Sequence, residues 1–424
     1  MSKPGSRPAE DTNLMRAGIG IGAAWVVSRA IMAYMWWYSS QYIINDVTYY
    51  FTQMSNPNSS ALVEYPTPIL WLMRIIHVVS QGNYGVFVDL VVGLMVVLDA
   101  LVTVALFWRS SPIAAGLWVV FLALLGPIMW FRIDMIPAAC VTLGLLFLTS
   151  RPTTGGALLA VGAATKIWPA LLILPALGRN ATARARTIGF AVTGAAMALV
   201  SLVLNGWTRS VSPITWQDER GLQIESLSAT WAMVMHAAKA GAAHVFMSPY
   251  HAYEVTGQGV AGGEIVAHWL MVAAIAYVIV MALLLVAMPA IRREDDVTTS
   301  PAGNYALLLT ATATITAMIA ANKTFSPQYL IWLAGPLGLV LAGAKTPADR
   351  KLAWLAAIIG CVIAGLTQTI FPLNYNGLLQ NPQGAAGITS ILVIRNVLMA
   401  VLTLLFMVWA GRSAWRVARP LRSI

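Results

Sequence analysis

The chemistry-bearing side chains of this sequence gather where apolar runs end. Asp46 stands among Tyr42, Tyr49, Tyr50 and Phe51, and a carboxylate in so apolar a setting gains proton affinity, which suits a general base. A helix cap or a solvated loop charge accounts for the same residue without chemistry. Arg132 and Asp134 lie two residues apart within Trp130–Pro137. Charges at membrane depth cost about 2.5–3.5 kcal/mol each, so they pair locally or line a pathway. Lys166 interrupts an apolar stretch that Pro169 and Pro175 break again. Lys323, Gln328 and Tyr329 share the segment Ala321–Tyr329, where a lysine can hold a phosphate as a point charge or snorkel beside an interfacial tyrosine. A long polar stretch carries Trp216, Arg220, Glu225, Tyr250, His251, Tyr253 and Glu254. Aromatic faces with carboxylates are what carbohydrate sites use to cover sugar rings and read hydroxyls, although Arg220 and Glu225 also suit a plain salt bridge. His236, His244, His251 and His268 lack a metal-ligand spacing, and Cys140 and Cys361 sit in apolar runs as small hydrophobes. Neither a metal nor a cofactor is expected.

The elements that must position these groups follow from composition. Of 424 residues, 58% are apolar and 10% charged, with a mean hydropathy of +0.73. That excludes a soluble enzyme, because a globular surface cannot absorb so much apolar area. The net charge of +10 comes as short basic clusters between apolar runs, with no stripe of interleaved aromatics, so nucleic acid is not expected as a partner. A bilayer core needs about 20 apolar residues per helical crossing. Runs fitting a span cover Ala17–Tyr38, Val86–Trp108, Pro112–Trp130, Met135–Thr149, Thr187–Asn205, Ile265–Ala290, Tyr305–Ala321, Tyr329–Ala344, Leu352–Phe371 and Ile388–Ala410. The first run lacks a cleavage site and reads as an uncleaved span.

Between these runs, Gly155–Leu177 decides the topology. As one crossing it would send Arg179, Arg184 and Arg186 outward; as two short broken helices it keeps them with Arg109, Arg151, Arg292, Arg293, Lys345, Arg350, Lys351 and the C-terminal Arg412, Arg416, Arg419 and Arg422. The positive-inside rule selects the broken pair, and irregular backbone at that depth requires Lys166 to face a cavity. The expected fold is all-α, a single polytopic domain over 1–424 with about 12 crossings including the broken-helix pair. It is expected in the plasma membrane with both termini cytoplasmic, and its outer loops are at about 39–85 and 206–263.

Seventeen of the 26 Lys and Arg residues fall on the cytoplasmic side of this topology. Arg29, Arg74, Arg132, Lys166, Arg209, Arg220, Lys239, Lys323 and Arg395 remain, most of them expected near outer ends of spans. The first outer loop holds Asp46, Glu64 and Tyr65, then an amphipathic piece, Pro68–Ser80, suited to the membrane interface and placing Leu70, Met73, Ile76, His77 and Val79 near one side. Asp99 falls deep in a span, where a helix–helix hydrogen bond is the expectation. Leu227–Ala243 is apolar enough for a second interfacial or re-entrant helix.

Asp46 after the first span, Arg132, Asp134 and Pro137 at an outer turn, Lys166, Trp168 and Pro169 at the broken pair, and Lys323 with Ser326–Tyr329 form a pattern spread over most of the chain. The pattern resembles the GT-C superfamily of polyprenyl-phosphate-sugar-dependent glycosyltransferases, and within it glycosyltransferase family 87, the actinobacterial mannosyltransferases and relatives of the cell envelope. The family's Tyr-Pro-rich patch is reduced here to Glu64–Pro68, which leaves the sugar open.

The resemblance implies an inverting transfer of a sugar, most readily mannose, from a polyprenyl-phosphate donor to a glycolipid or lipoglycan hydroxyl at the outer face. Membrane lipid would be the third partner. Asp46 would be the catalytic base. Arg132, Lys166, Lys323 and Arg220 would hold the donor phosphate, and Tyr49, Tyr50, Glu64, Tyr65, Asp134, Glu225, Gln328 and Tyr329 would contact substrate. A phosphomonoester leaving group can be held by side chains alone, and no Asp-x-Asp nucleotide-sugar motif occurs in the sequence. The alternatives are an arabinofuranosyltransferase using polyprenyl-phosphate arabinose, a lipid-linked-sugar transporter or flippase, and a non-catalytic envelope scaffold.

Overall fold

The computed structural model describes residues 7–39, 42–56, 61–218, 220–249, 252–291, 298, 300–379 and 385–419. The basic residues Lys3, Arg292, Arg293 and Arg422, together with Glu219, Tyr250 and His251, lie outside the described residues. In chain order the helices are α1 (Arg7–Ser39), α2 (Asn45–Ser55), α3 (Thr67–Val79), α4 (Tyr84–Arg109), α5 (Pro112–Leu125), α6 (Met135–Phe147), α7 (Pro152–Thr165) and α8 (Ala181–Asp218). The second half adds α9 (Thr230–Ala238), α10 (Val260–Ala282), α11 (Met288–Ile291), α12 (Pro301–Ala321), α13 (Ile331–Gly343), α14 (Pro347–Gln368), α15 (Tyr375–Leu379) and α16 (Ala385–Ala418). Helix makes up 81% of the structure. That bears out the all-α expectation, to which an antiparallel hairpin, β1 (Ala243–Met247) with β2 (Tyr253–Gly257), is a small addition.

Among the described residues, seven helical stretches are long and apolar enough to cross a membrane: those of α1, α4, α8, α10, α12, α14 and α16. The apolar helices α3, α5, α6 and α13 are shorter. Apolar side chains face outward from the long helices, with Val203 73%, Trp207 71% and Trp269 63% exposed, as lipid contact requires. In contrast, α13 is buried at every position from Ile331 to Leu341. Along α12 the hydroxyls of Thr310 and Thr314 return to the carbonyls of Ala306 and Thr310 at 2.8 and 2.9 Å, which lets these threonines sit in an apolar interior.

Helix starts and helix ends differ systematically. Helices α5, α12 and α14 begin with Ser111–Pro112, Ser300–Pro301 and Thr346–Pro347, whose hydroxyls accept from the amides of Ala114, Gly303 and Asp349 at 3.0–3.2 Å. The hydroxyl satisfies an orphan amide, and the proline occupies the turn that needs none. The exposed cations Arg109, Arg151, Arg179, Arg184, Lys345 and Lys351 cluster at this end. At the other end α5 stops at Gly126, whose φ of +81° only glycine adopts freely, and the chain turns through the short 3-10 helix Pro127–Trp130. A matching 3-10 turn, Pro327–Leu330, starts α13.

The broken pair is present. Helix α7 ends at Thr165, Lys166 is extended at φ −157° and ψ 117°, and the 3-10 helix Trp168–Ala176 folds back so that Pro169 packs on Gly162. Helix α8 then runs parallel to α7: Gly189 abuts the Thr153 carbonyl, and further along both helices Gly194 meets Ala160. Arg151 and Arg179 thereby share one end, as the topology required. Arg186 is different. It is buried, bonds the Ala176 carbonyl and donates to Thr298 Oγ1 at 2.6 Å, so it braces the turn instead of marking a surface.

Two further expectations are corrected. Leu227–Ala243 forms only the nine-residue α9 before entering the hairpin, because Lys239 at its end is extended (φ −141°, ψ 116°) and Gly241 has φ +76°. On α3, Leu70, Met73 and Ile76 are buried as the amphipathic pattern predicts, whereas Val79 is 58% exposed on the side of Ile75 and Val78. Arg29 lies within α1, away from any outer end. It grips Asp99 of α4 with two bonds of 2.8 Å, while Trp25 and Trp118 donate to the same carboxylate at 2.8 Å. Asp99 is thus the helix–helix bond expected of it.

Candidate active site

A cavity of about 1250 Å³ opens where six junctions meet: those joining α1 to α4, α5 to α6, α7 to its 3-10 partner, α8 to α10, α12 to α13, and α14 to α16. All six lie at the end opposite the exposed basic cluster. Four cations, Arg132, Lys166, Arg220 and Lys323, line the cavity against the three carboxylates Asp46, Glu64 and Glu264.

Asp46 occupies the first turn of α2, where a helix N-terminus favours negative charge. Its Oδ2 lies 2.9 Å from Arg132 Nε, and its 30% exposure opens into the cavity. The short turn after Gly126 delivers Arg132, which is buried and fastened to the carbonyls of Ile43 and Phe131 at 2.7 and 3.0 Å. Arg132 therefore ties the α5–α6 junction to the loop that ends at Asp46. Burial raises the Asp46 carboxyl above its ordinary value, Arg132 pulls it back most strongly, Asp134 adds to the rise, and Lys166 and Arg220 oppose it. A carboxylate so poised can take a proton from a hydroxyl.

Lys166 reaches the cavity because α7 ends beneath it. Its ammonium lies 2.6 Å from Asp134 Oδ1 and sits over the rings of Tyr329 and Trp332 at 4.2 and 4.9 Å. Trp332 also donates to Asp134 at 2.9 Å. Tyr329, Trp332 and Trp168 stack in sequence with ring centroids 4.4 and 4.6 Å apart. The ammonium is held on three sides with 23% of its side chain exposed.

Arg220 lies 4.0 Å from Glu254, which also accepts from the Gly221 amide at 3.2 Å. The same strand-like segment donates from the Gln223 amide to the Lys323 carbonyl and from Ile224 to Tyr253, so Arg220 and Lys323 are carried on tethered backbones. Tyr49 bonds Glu64, whose carboxyl burial raises above its ordinary value. Tyr65, Gln328 and Tyr329 also line the cavity.

Three expected substrate contacts do not line it. Tyr50 is fully buried, 3.3 Å from the Tyr65 hydroxyl, because α2 turns its apolar face inward. Asp134 is 2% exposed and serves Lys166 and Trp332. Glu225 is fully buried with Arg395 of α16 at 3.0 Å, not with Arg220; burial pushes its carboxyl up to about 7, while Arg395 and Tyr375 pull it down. Tyr42 and Tyr253, noted in the sequence beside Asp46 and in the long polar stretch, line the cavity as well, and sequence reasoning missed three further lining residues, Trp332, Phe371 and Tyr375. Trp332 alone had a local signal, three residues after Tyr329 and so on the same helical face.

Among the described residues no group of three or more His, Cys, Asp or Glu could hold a metal ion. The family model described as Glycosyltransferase family 87 matches residues 63–312. No curated protein and no solved structure matches the chain.

Proposed function

The chain belongs to glycosyltransferase family 87, and from that premise we propose that it transfers mannose, with inversion, from a polyprenyl-phosphate donor to a glycolipid or lipoglycan hydroxyl at the outer face of the plasma membrane. The observation that carries this reading is the Asp46 carboxylate, held at 2.9 Å by Arg132 in a cavity that also presents Lys166, Arg220 and Lys323. Asp46 takes the proton as the acceptor oxygen attacks the anomeric carbon. The bond from that carbon to the phosphate oxygen breaks, and its electron pair leaves with the phosphate. A phosphate leaving group needs no proton, so one base and a set of cations suffice.

Lys166, Lys323 and Arg220 hold the phosphate in this mechanism. Arg132 is revised from phosphate ligand to the residue that orients Asp46, since its Nε lies 2.9 Å from that carboxylate while its Nη1 is fastened to two backbone carbonyls. Asp134 is revised likewise, from substrate contact to the anchor of Lys166. The membrane arrangement we propose has twelve crossings, counting the short α5, α6 and α13 and both halves of the broken pair. The basic end and both termini are cytoplasmic, in keeping with the positive-inside rule. A transporter would need polar lining toward both ends of the bundle, whereas this lining comes from junctions at one end.

The test is transfer by purified protein from radiolabelled polyprenyl-phosphate mannose into a membrane glycolipid extract. Wild type should label glycolipid, and Asp46→Asn should lose at least a thousandfold in rate while keeping its unfolding temperature. Near-normal turnover by Asp46→Asn would remove the base from the mechanism. Label moving only from the arabinose donor would keep the mechanism and change the sugar.

A further inference from the structure

A second cavity, of about 190 Å³, lies at the end of the bundle opposite the active-site cavity, where α4, α6 and α13 finish and α12 begins. Its walls are leucines, among them Leu145, Leu148, Leu307 and Leu339, and its polar lining side chains are Ser110 and Asn304. The hollow exists because α13 ends on Ala342 and Gly343, which have little side chain to fill it. The Tyr305 ring that packs on Gly343 is held by its own hydroxyl, which donates to the Val340 carbonyl at 3.3 Å. An apolar cavity of about 150 Å³ takes up a benzene-sized guest, so this one has room for part of a hydrocarbon chain.

The mouth of this cavity is basic. Arg109 precedes the lining residue Ser110, Arg151 follows Leu148 by three residues, and Lys345 follows Gly343 by two; all three cations are exposed. The Arg151 guanidinium lies 5.8 Å from the centroid of the Phe147 ring, between the lining residues Leu146 and Leu148 in sequence. Among the described residues none of the three cations pairs with a carboxylate. Asp349, four residues beyond Lys345, already accepts from Thr346 Oγ1 at 2.7 Å and from Trp409 Nε1 at 3.0 Å. The side-chain amide of Asn304 likewise makes no hydrogen bond among the described residues, although it lines the cavity.

Helix ends do not cancel this charge. The carbonyl ends of α4, α6 and α13 contribute about half a negative charge each and the amide end of α12 about half a positive one, a sum of about −1 that three full positive charges exceed. Arg350 adds a fourth and occupies the end of α13, donating from Nε to the Ala344 carbonyl at 3.3 Å. Basic groups over an apolar slot between membrane-spanning helices suit a phospholipid, with the headgroup on the cations and the chain alongside. A free phosphate would use the cations and leave the leucines bare, and a neutral lipid would do the reverse.

We propose that this cavity binds one anionic phospholipid. Its phosphate rests on Arg109, Arg151 and Lys345, its glycerol or headgroup oxygens meet Asn304 and Ser110, and part of one acyl chain lies between the leucines. The site is independent of the glycosyltransferase reading. It lies between α6 and α13, whose opposite ends carry Asp134 and Trp332, so the lipid braces the two helices that position Lys166. A ligand held by the folded state alone raises its stability.

The experiment uses the full chain, purified in a neutral detergent and stripped of lipid. Native mass spectrometry is recorded with dioleoyl phosphatidylglycerol or zwitterionic dioleoyl phosphatidylcholine at micromolar concentration. Wild type should retain one phosphatidylglycerol at least fivefold more strongly than phosphatidylcholine, and its unfolding temperature should rise with the first lipid and not with the second. The triple exchange Arg109→Gln, Arg151→Gln, Lys345→Gln, which removes no ion pair, should weaken that retention at least fivefold. A control triple with the same change of charge, Arg184→Gln, Arg412→Gln, Arg416→Gln, should keep it within twofold. Ala342→Phe, which fills the slot and leaves every charge in place, should also weaken it at least fivefold, and Leu308→Trp fills the slot from α12 if Ala342→Phe does not fold.

Equal retention of the two lipids, a control triple that loses as much as the pocket triple, or a preference for phosphatidylglycerol unmoved by the cavity-filling exchanges would each overturn the proposal. An equal rise in unfolding temperature with glycerol 1-phosphate alone would overturn it too, because the site would then take a headgroup and no chain.

Discussion

If Arg132 orients Asp46 and keeps it ionised, removing the guanidinium should move the acid limb of the pH–rate profile in a predictable direction. Asp46 must be a carboxylate to accept the proton, so the rate rises with pH through its pKa. Burial sets that pKa above the ordinary carboxylate value, and Arg132 is the largest opposing influence. At 2.9 Å and an effective dielectric constant of about 20, their attraction is about 6 kcal/mol, equivalent to roughly four pH units. That is a ceiling, because Asp46 keeps 30% exposure and Lys166 and Arg220 continue to favour the anion. An adjacent opposite charge is ordinarily worth about one to three pH units, and that is the upward displacement expected in Arg132→Met. The assay is transfer from the radiolabelled donor at saturating acceptor between pH 5 and 9, each profile normalised to its own plateau so that lost protein does not count. Wild type and variant should converge at high pH and diverge at low pH. A limb that stays in place, or moves down, refutes the reasoning. A limb in place with donor KM raised would return Arg132 to the phosphate.

Other perturbations separate positioning from folding. Asp134→Asn keeps an acceptor for Trp332 but loses the charge that holds Lys166, a bond worth about 1.5–3 kcal/mol; donor KM should rise roughly tenfold or more with acceptor KM unchanged, as initial-rate kinetics will show. Asp99→Leu leaves Arg29 buried and unpaired, at a cost of about 3–5 kcal/mol. It should lower the unfolding midpoint in detergent without altering either KM, and Arg29→Met with Asp99→Leu should recover much of the loss. Gly156 sits against the Arg186 carbonyl, where even one carbon does not fit, so Gly156→Val should separate α7 from α8 and abolish monodisperse protein on size-exclusion chromatography.

Much of the fold was legible because its determinants are local. Apolar runs marked the long helices, and prolines 169 and 175 with Lys166 marked the broken pair, since a charge amid apolar residues demands a cavity. Asp46, Lys166 and Lys323 were conspicuous as polar residues at the ends of such runs. What sequence could not supply were partners far along the chain. Glu225 has equally good local reasons to pair with Arg220, five residues away, yet it pairs with Arg395, 170 residues on. Arg29 offers no sign that its partner is Asp99. The hairpin escaped because Ala243–Gly257 has too few strongly apolar residues to alternate clearly, and because one of its contacts is a bridge from the distant Gln223 to Glu254. Tyr375 and Phe371 were hidden by their place at the end of an apolar run, where aromatic residues more often serve as interfacial anchors.

The position of the cavity follows from helix length. Helices α5, α6 and α13 have 14, 13 and 13 residues, so at 1.5 Å per residue they span about 20 Å, against a hydrocarbon core of about 30 Å. The Ser–Pro start of α5 and the cations that follow α6 and α13, Arg151 and Lys345, fix one end at the cytoplasmic surface in the topology proposed here, so the shortfall appears at the other. Arg132, Asp134 and the Lys323–Tyr329 loop all sit at those shortened ends. Cations placed there escape the expense of lipid contact only by facing a polar hollow shared with carboxylates, and the same hollow is where a phosphate tethered to a membrane-embedded chain would arrive without leaving the bilayer. The short helices α5, α6 and α13 therefore account at once for the Arg132–Asp46 and Lys166–Asp134 pairs and for the cavity, and they suit the lipid-linked donor proposed above.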